Sequence, residues 1–244
     1  MDHLIISDGQ CAPGQSLKHW KALRGLIRDI RPKRIINIGD FWDFPSLSEY
    51  DKSTIYIENA RYKADIEAGN EAKAILDSAT KGINYSPIID FFEGNHEARV
   101  SKYVAKRPEI EGMMVFSEDV DLTGWNYHPF LVPEKIDGVS YAHYFYNPMN
   151  GRPYAGAIQT MLKNIGYSFV MGHQQRFAFD RRDLTNGKAI MGLVTGAYYM
   201  HDERYKGPQG NSHWRGVVHL KNVANGCYDL ETYSLERILQ VYGE

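Results

Sequence analysis

The chain has too few cysteines for a disulfide framework or a zinc–thiolate site: Cys11 and Cys227 are the only two, far apart and outside any Cys-x-x-Cys pair. No stretch approaches the roughly 18 apolar residues of a membrane span, and Met1-Asp2-His3 lacks the basic start and apolar run of a secretory signal. No membrane contact and a cytoplasmic address are therefore expected. Net charge is also scarce. With 28 Lys and Arg against 30 Asp and Glu, the formal charge is -2, which excludes a global field for nucleic acid and leaves only a local basic face. Neither an internal repeat nor a low-complexity linker is visible. What is present is ordinary for a soluble protein with a real core: 43% hydrophobic and 24% charged residues. A length of 244 residues fits one domain spanning 1–244.

Short apolar runs alternate with helix-like segments, the pattern of a layered α/β fold. Strands are expected at Leu4-Ile5-Ile6, from Arg34 to Ile38 and from Pro87 to Phe92. A helix capped by Ser16 carries Trp20, Leu23, Ile27 and Ile30 at helical spacing and stops at Pro32. A long half-exposed helix is expected from about Ile57 to Ser78, with Ala60, Ala64, Ala68, Ala72, Ile75 and Ala79 as its stripe. Glu97 to Lys106 reads as a helix ended by Pro108, and Trp125 to Phe145 as two strands around Lys135-Ile136-Asp137-Gly138. A helix near Gly156 to Asn164 leads into a strand at Ser168 to Met171. Four further strands follow: Arg176 to Asp180, Ala189 to Thr195, Trp214 to Leu220 and Tyr228 to Tyr233, with Asn186-Gly187 and Asn225-Gly226 as hairpin turns. This order fits a four-layer αββα sandwich, two mixed sheets flanked by helices, better than one doubly wound sheet.

Five apolar runs end in metal-ligating residue types: Ile5-Ile6-Ser7-Asp8, Ile36-Asn37-Ile38-Gly39-Asp40, Phe91-Phe92-Glu93-Gly94-Asn95-His96, Val139-Ser140-Tyr141-Ala142-His143 and Phe169-Val170-Met171-Gly172-His173. Strand ends on one sheet edge converge, and open α/β sheets bind ligands there. Glycines 39, 94 and 172 suit turns in which backbone and ligand approach closely. Singly, an Asp after a strand reads as a turn residue and a lone His as structural. In this order, Gly39-Asp40-Phe41-Trp42-Asp43, Gly94-Asn95-His96-Glu97, His143 and Gly172-His173 resemble the GDxxD, GNHE, H and GHxH motifs of the calcineurin-like metallophosphoesterases. The resemblance runs from Asp8 to about Gln175 and is similar to that of small stand-alone bacterial or phage members.

The resemblance implies two divalent metal ions and hydrolysis of a phosphoester by a shared metal-bound hydroxide. Asp40 would bridge the ions, Asp8 would serve the first, and Asn95, His143 and His173 the second. His96 falls where the family places the acid for the leaving oxygen, and Asp43 where some members orient that His. Two positions depart from the family pattern. Asp8-Gly9-Gln10 replaces DxH, and Gly172-His173-Gln174-Gln175 replaces GHxH, so two imidazoles of the first site have become amides. An amide oxygen is a harder, weaker donor than imidazole and favours Mn²⁺ or Mg²⁺ over zinc, with Fe and Ni also within range. Either Gln10 and Gln175 ligate a loosely held first ion, Mn²⁺ foremost, or that site stays empty and the chain is a one-metal enzyme or binding module.

Arg99, Arg176, Trp42 and His201 are candidate substrate contacts: the arginines as planar phosphate donors, Trp42 as a pocket wall or a core residue, His201 in a loop after a strand. The resemblance covers phosphatases of phosphoproteins as well as nucleotide and nucleic-acid phosphodiesterases. The Arg-Gly that usually follows GDxxD in the former is missing after Asp43, so a phosphodiester of nucleotide or nucleic-acid type is the expected substrate, with a phosphomonoester as the alternative.

Overall fold

The computed structural model describes residues 1–49, 59–202 and 207–243. Its first half runs β1 (His3–Ile6), α1 (Lys18–Ile30), β2 (Arg34–Asn37), α2 (Tyr62–Asp77), β3 (Ile88–Phe92), α3 (Arg99–Ala105), α4 (Phe116–Asp119) and β4 (Asn126–His128). Next come β5 (Glu134–Ile136), β6 (Val139–Tyr141), β7 (Tyr146–Asn147), β8 (Arg152–Pro153), α5 (Ile158–Ile165) and β9 (Phe169–Met171). The chain closes with β10 (Phe177–Asp183), β11 (Ala189–Thr195), α6 (Gly207–Gly210), β12 (Gly216–Ala224), β13 (Cys227–Ser234) and α7 (Leu235–Tyr242).

The strands form a six-stranded sheet, β13-β12-β1-β2-β3-β4, a five-stranded sheet, β10-β11-β9-β6-β5, and the small β7-β8 pair. Both large sheets are mixed. β1 to β4 run parallel while β12 and β13 are antiparallel; β6, β9 and β11 run parallel with antiparallel partners at the edges.

Alternation along each strand sets the layers, because successive side chains point to opposite faces. Ile5, Ile36, Phe92 and Val218 from the first sheet meet Tyr141, Val170 and Leu193 from the second. On the outer face of the first sheet, Leu4, Ile6, Ile35 and Phe91 pack with Trp20, Leu23 and Ile27 of α1, Leu76 of α2 and Ile238 of α7. Phe169, Met171 and Val194 do the same with Ile158, Met161 and Leu162 of α5 on the far side. The fold is a mixed α/β sandwich of two sheets with helices outside.

Several local expectations change. Leu17, not Ser16, occupies the cap position of α1, and no side chain caps it; Ser16 Oγ instead accepts from Lys18 N at 3.3 Å. Of the helix expected from Ile57, the start lies outside the described residues, and α2 begins at Tyr62. Its buried line is Asp65, Gly69, Ala72, Lys73 and Leu76, rotated from the alanine stripe. Lys73 is tolerated inside because Asp77 Oδ2 and Thr123 O accept from its ammonium at 2.7 and 2.9 Å. Between Trp125 and Phe145 there are three strands rather than two. Pro129 and Pro133 separate β4, which joins the first sheet, from the β5–β6 hairpin in the second. The C-terminal helix α7 was not anticipated; Ser234 caps it by accepting from Arg237 N. Among the described residues no helix is long and apolar enough to cross a membrane.

Candidate metal centre

The C-terminal ends of β1, β2, β3, β6 and β9 lead directly into the five candidate ligand segments, and the parallel pairings bring those ends to adjoining rims. Backbone bonds tie neighbouring segments together within each rim. Asp8 N donates to Gly39 O at 3.1 Å, Gln10 N to Asp40 O at 2.7 Å and Gly172 N to His143 O at 3.0 Å. One ligand atom each from Asp40, His143 and His173 lies within 4.8 Å of the others, the single such group among the described residues. Asn95 joins them, its Oδ1 2.9 Å from His143 Nε2.

The backbone here is unusual. Asp8, Gln10, Asp40, His173 and Gln175 all have positive φ, between 45° and 64°. For non-glycine residues this conformation costs on the order of 1–3 kcal/mol each and persists only where the surroundings enforce it. Glycine permits the crowding. A Cβ at Gly94 would lie 2.3 Å from both Asp40 N and Asp40 Oδ1, and one at Gly172 2.1 Å from Ser7 Oγ and 2.6 Å from Asp8 Oδ2.

Charge is concentrated out of water. Asp8 and Asp40 are 0% and 2% exposed. Burial, reinforced by the Asp40 charge, pushes the Asp8 carboxyl up to about 6 despite the opposing His143. Burial acts on Asp40 in the same sense, but the His143 and His96 charges outweigh it and hold that carboxyl far below its usual range. Burial disfavours the His143 cation, yet Asp40, with Nε2 3.3 Å from its Oδ2, lifts the imidazole to about 9. His143 Nδ1 donates across the sheets to Ile38 O at 2.7 Å, which leaves Nε2 facing Asp40 and Asn95. His173 goes the other way: burial, then the His143 charge, lower it to about 4.

The donor set fits a hard or borderline divalent ion, since a carboxylate, two imidazoles and an amide oxygen meet at one point. Beside them Asp8 Oδ1, Gln10 Oε1 and Gln10 Nε2 are buried without a hydrogen-bond partner. Asp8 Oδ2 is occupied by Ser7 Oγ and by His173 N at 3.0 Å. Unsatisfied buried oxygens beside a carboxylate are costly unless a cation completes them. Gln175 Oε1 accepts from Tyr199 OH at 2.9 Å.

His96 stands next to the cluster. Its backbone N donates to Asp40 Oδ1 at 2.9 Å, Nδ1 lies 2.5 Å from Asp43 Oδ1, and Nε2 lies 3.7 Å from Asp40 Oδ2. Burial lowers its pKa, but Asp40 and Asp43 outweigh both burial and Arg99, so the imidazole is raised overall. Burial pushes Asp43 up, but the His96 hydrogen bond and charge, together with Arg99 and His201, outweigh it and leave the carboxyl lowered.

The four candidate substrate residues are placed differently. Arg99 lies at the cluster: Nη2 is 3.1 Å from His96 Nε2, and Nη1 donates to Asp43 O at 2.6 Å. Arg176 is held by Gln174 Oε1 and Gly156 O, at 2.7 and 2.6 Å. His201 stacks on Tyr199, rings 4.4 Å apart, and its charge acts on Asp43. Trp42 does not reach the cleft. Its ring has no exposed surface and packs with Phe41, Phe91, Phe116 and Trp125, so it is a core residue.

Glu97 is a residue whose part the motif alone left open. Fully buried, it accepts from Asp40 N, Phe41 N, Trp42 N and Gly94 N at 2.6 to 2.9 Å, stapling the Asp40 loop to the Asn95 loop. An acidic residue one position after His96, on a segment otherwise turning helical, was the available signal.

No protein-family model matches the chain. Two curated relatives do, both called Gene 54 protein: that of Mycobacterium phage D29, 33% identical over 103 residues, and that of Mycobacterium phage L5, 33% identical over 101. The matches cover 42% and 41% of this chain, and only 38% of the length of either relative. Among solved structures, Vps29 of Chaetomium thermophilum aligns at 10% identity and a TM-score of 0.42, covering 96% of this chain and 98% of that one. A Streptococcus pneumoniae protein described as a predicted phosphoesterase aligns at 9% and 0.35, over 95% and 97%. GAP50 of Plasmodium aligns at 10% and 0.37, over 100% and 87%. At such identities and scores the likeness fixes neither family nor activity.

Proposed function

We propose that this chain is a divalent-metal-dependent phosphoester hydrolase of the calcineurin-like metallophosphoesterase type, acting as a phosphodiesterase on a nucleotide or nucleic-acid substrate. The observation that carries the reading is the convergence of Asp40, His143 and His173 from the strand ends of two different sheets. In this reading Asp40, Asn95, His143 and His173 hold one ion, and Asp8, Gln10, Asp40 and Gln175 hold a second, weaker one, with Mn²⁺ preferred at the amide-bearing site. The metals, when bound, neutralise phosphoryl oxygens and acidify a water. The protein's own work is positional. His96 donates a proton to the leaving oxygen from Nε2, and Asp43 at Nδ1 sets its tautomer and keeps it charged. Arg99, 3.1 Å from that Nε2, opposes the His96 cation, and the two together would share the negative charge of a bound phosphoryl group.

Release of nitrophenol from bis(4-nitrophenyl) phosphate with Mn²⁺ tests this. His96→Ala should lose about a hundredfold to ten-thousandfold in turnover while manganese affinity holds. Activity on the monoester well above the diester would point to a phosphatase instead. A wild type inert with every divalent ion would defeat the hydrolase reading. The presence of one donor group, not two, among the described residues favours a second reading, a one-metal binding module. Saturation at one ion per chain without hydrolysis is its signature.

A further inference from the structure

An aromatic and cationic wall leads away from the metal cluster. The half-buried Tyr144 ring packs against His173 at 4.8 Å between centroids. Phe130, also half-buried, meets Tyr144 edge-on at 5.5 Å. The exposed Lys102 places its ammonium 5.5 Å over the Phe130 ring. Lys102 and Arg99 stand three residues apart on α3 and so share one face, with Arg99 at His96 and Lys102 at Phe130. Phe130 is also fixed from below, since buried Glu93 accepts its backbone N–H at 3.2 Å and the Tyr127 hydroxyl at 2.5 Å through the same oxygen. Beyond Phe130 opens a groove of about 770 Å³, lined by Val100, Val104, Phe116 and Tyr127 among others.

Resting on the hydrolase reading above, we infer that Tyr144, Phe130 and Lys102 form the subsite for the substituent of the phosphodiester that is a nucleobase. The base stacks on the face of one ring and meets the other, which stands at 85° to it, edge-on, and the adjoining phosphate lies against Lys102. Tyr144 also packs against the core beneath α5, but Phe130 belongs to none of the core clusters of the described residues, and Lys102 is exposed. Two half-exposed rings in line with a metal site, and a cation at their far end, complement a π-face joined to an anion. A phosphomonoester that carries no ring would leave this pair unused.

The test is calorimetric titration of oligothymidylate, thymidylyl-thymidine and an abasic oligomer into the 244-residue His96→Ala chain with Mn²⁺, a background in which the probe is not consumed. Phe130→Ala and Tyr144→Ala are each expected to weaken oligothymidylate binding about 5- to 150-fold, the range for loss of one base–aromatic stack. Lys102→Ala should weaken it evenly across sequences and reduce the salt dependence by about one phosphate. Near-ultraviolet circular dichroism confirms that each variant is folded; Phe130→Tyr should restore binding, which a general packing defect would not allow. A dinucleotide that binds as tightly as the oligomer identifies a small nucleotide substrate, and a tighter oligomer identifies a nucleic acid. Equal affinity for the abasic oligomer, or no loss in folded Phe130→Ala and Tyr144→Ala, overturns the subsite. The two readings fail separately. A wild type that never hydrolyses a diester but binds thymidylate through Phe130 defeats only the hydrolase; a hydrolase indifferent to Phe130 and Tyr144 defeats only the subsite.

Discussion

The Trp42 indole has no exposed surface, and its Nε1–H donates to Asn70 Oδ1 at 3.3 Å across the core. A Cβ on Gly69 would lie 1.9 Å from the ring, so α2 is packed against it with nothing to spare. Trp42→Ala should therefore destabilise the fold by about 3–5 kcal/mol in urea unfolding, the usual loss for truncating a buried large aromatic. Any folded remainder should bind substrate at wild-type affinity. Asp65 is the other residue with a measurable consequence. It is buried, accepts from Ser46 N at 3.0 Å, and burial pushes its carboxyl up to about 6 from an ordinary 3.8. Between those values the folded chain keeps a proton that the unfolded chain has lost, so stability falls as pH rises from about 4 to 6 and stays lower above. Asp65→Asn, whose amide oxygen still accepts from Ser46, should flatten that slope and raise stability at pH 7 by about 2 kcal/mol. Identical pH profiles of Tm for the two proteins would contradict it. Trp42 shows where sequence reasoning reaches its limit: the motif spacing marked it as lying between two functional carboxylates, but the direction of its ring is a matter of strand twist and helix packing that spacing does not encode.

At the scale of elements, the loops after β2 and β3 act as one unit because Glu97 bonds to both. Glu97→Ala leaves four buried N–H groups without an acceptor, and a loss on the order of 4 kcal/mol is expected. Glu97→Gln, which can accept through only one of its two terminal atoms, should lose roughly half of that by the same reasoning. Manganese affinity, measured by calorimetry, should fall in both, since the positive-φ backbone at Asp40 depends on this staple. Unchanged affinity in a folded Glu97→Ala would mean that Asp40 holds its conformation alone. Much at this scale was readable beforehand. Asn225-Gly226, with φ of 53° and 82°, makes the tight turn its dipeptide announces between β12 and β13. The strand-ending runs that finish in Asp8, Asp40, Asn95, His143 and His173 come to adjoining rims. The α7 helix was missed although Leu235, Ile238, Leu239 and Tyr242 have helical spacing, because the preceding β13 pattern runs into it without a break. Ser16 stands one residue before the cap position, so its hydroxyl reaches only Lys18 N, the first N–H of α1.

For the whole molecule, the site exists only if both sheets are in place: Asp8, Asp40 and Asn95 follow strands of the first, His143 and His173 strands of the second. That there are two mixed sheets was an expectation of the sequence; which strand face lines the shared interior was not, since the runs at Leu4 to Ile6 and Phe169 to Met171 are apolar without alternation. The assignment of β4 to one sheet and of β5 and β6 to the other was not, because it depends on how the Pro129 to Pro133 stretch crosses between them. The central claim is that side chains from the two sheets together hold divalent cations. Anomalous diffraction at the manganese edge from crystals grown with Mn²⁺ tests it most directly. A strong peak coordinated by Asp40, Asn95, His143 and His173, with a weaker neighbour beside Asp8 and Gln10, is the expected result. Crystals saturated with manganese that show no peak within reach of Asp40, His143 and His173 would contradict it.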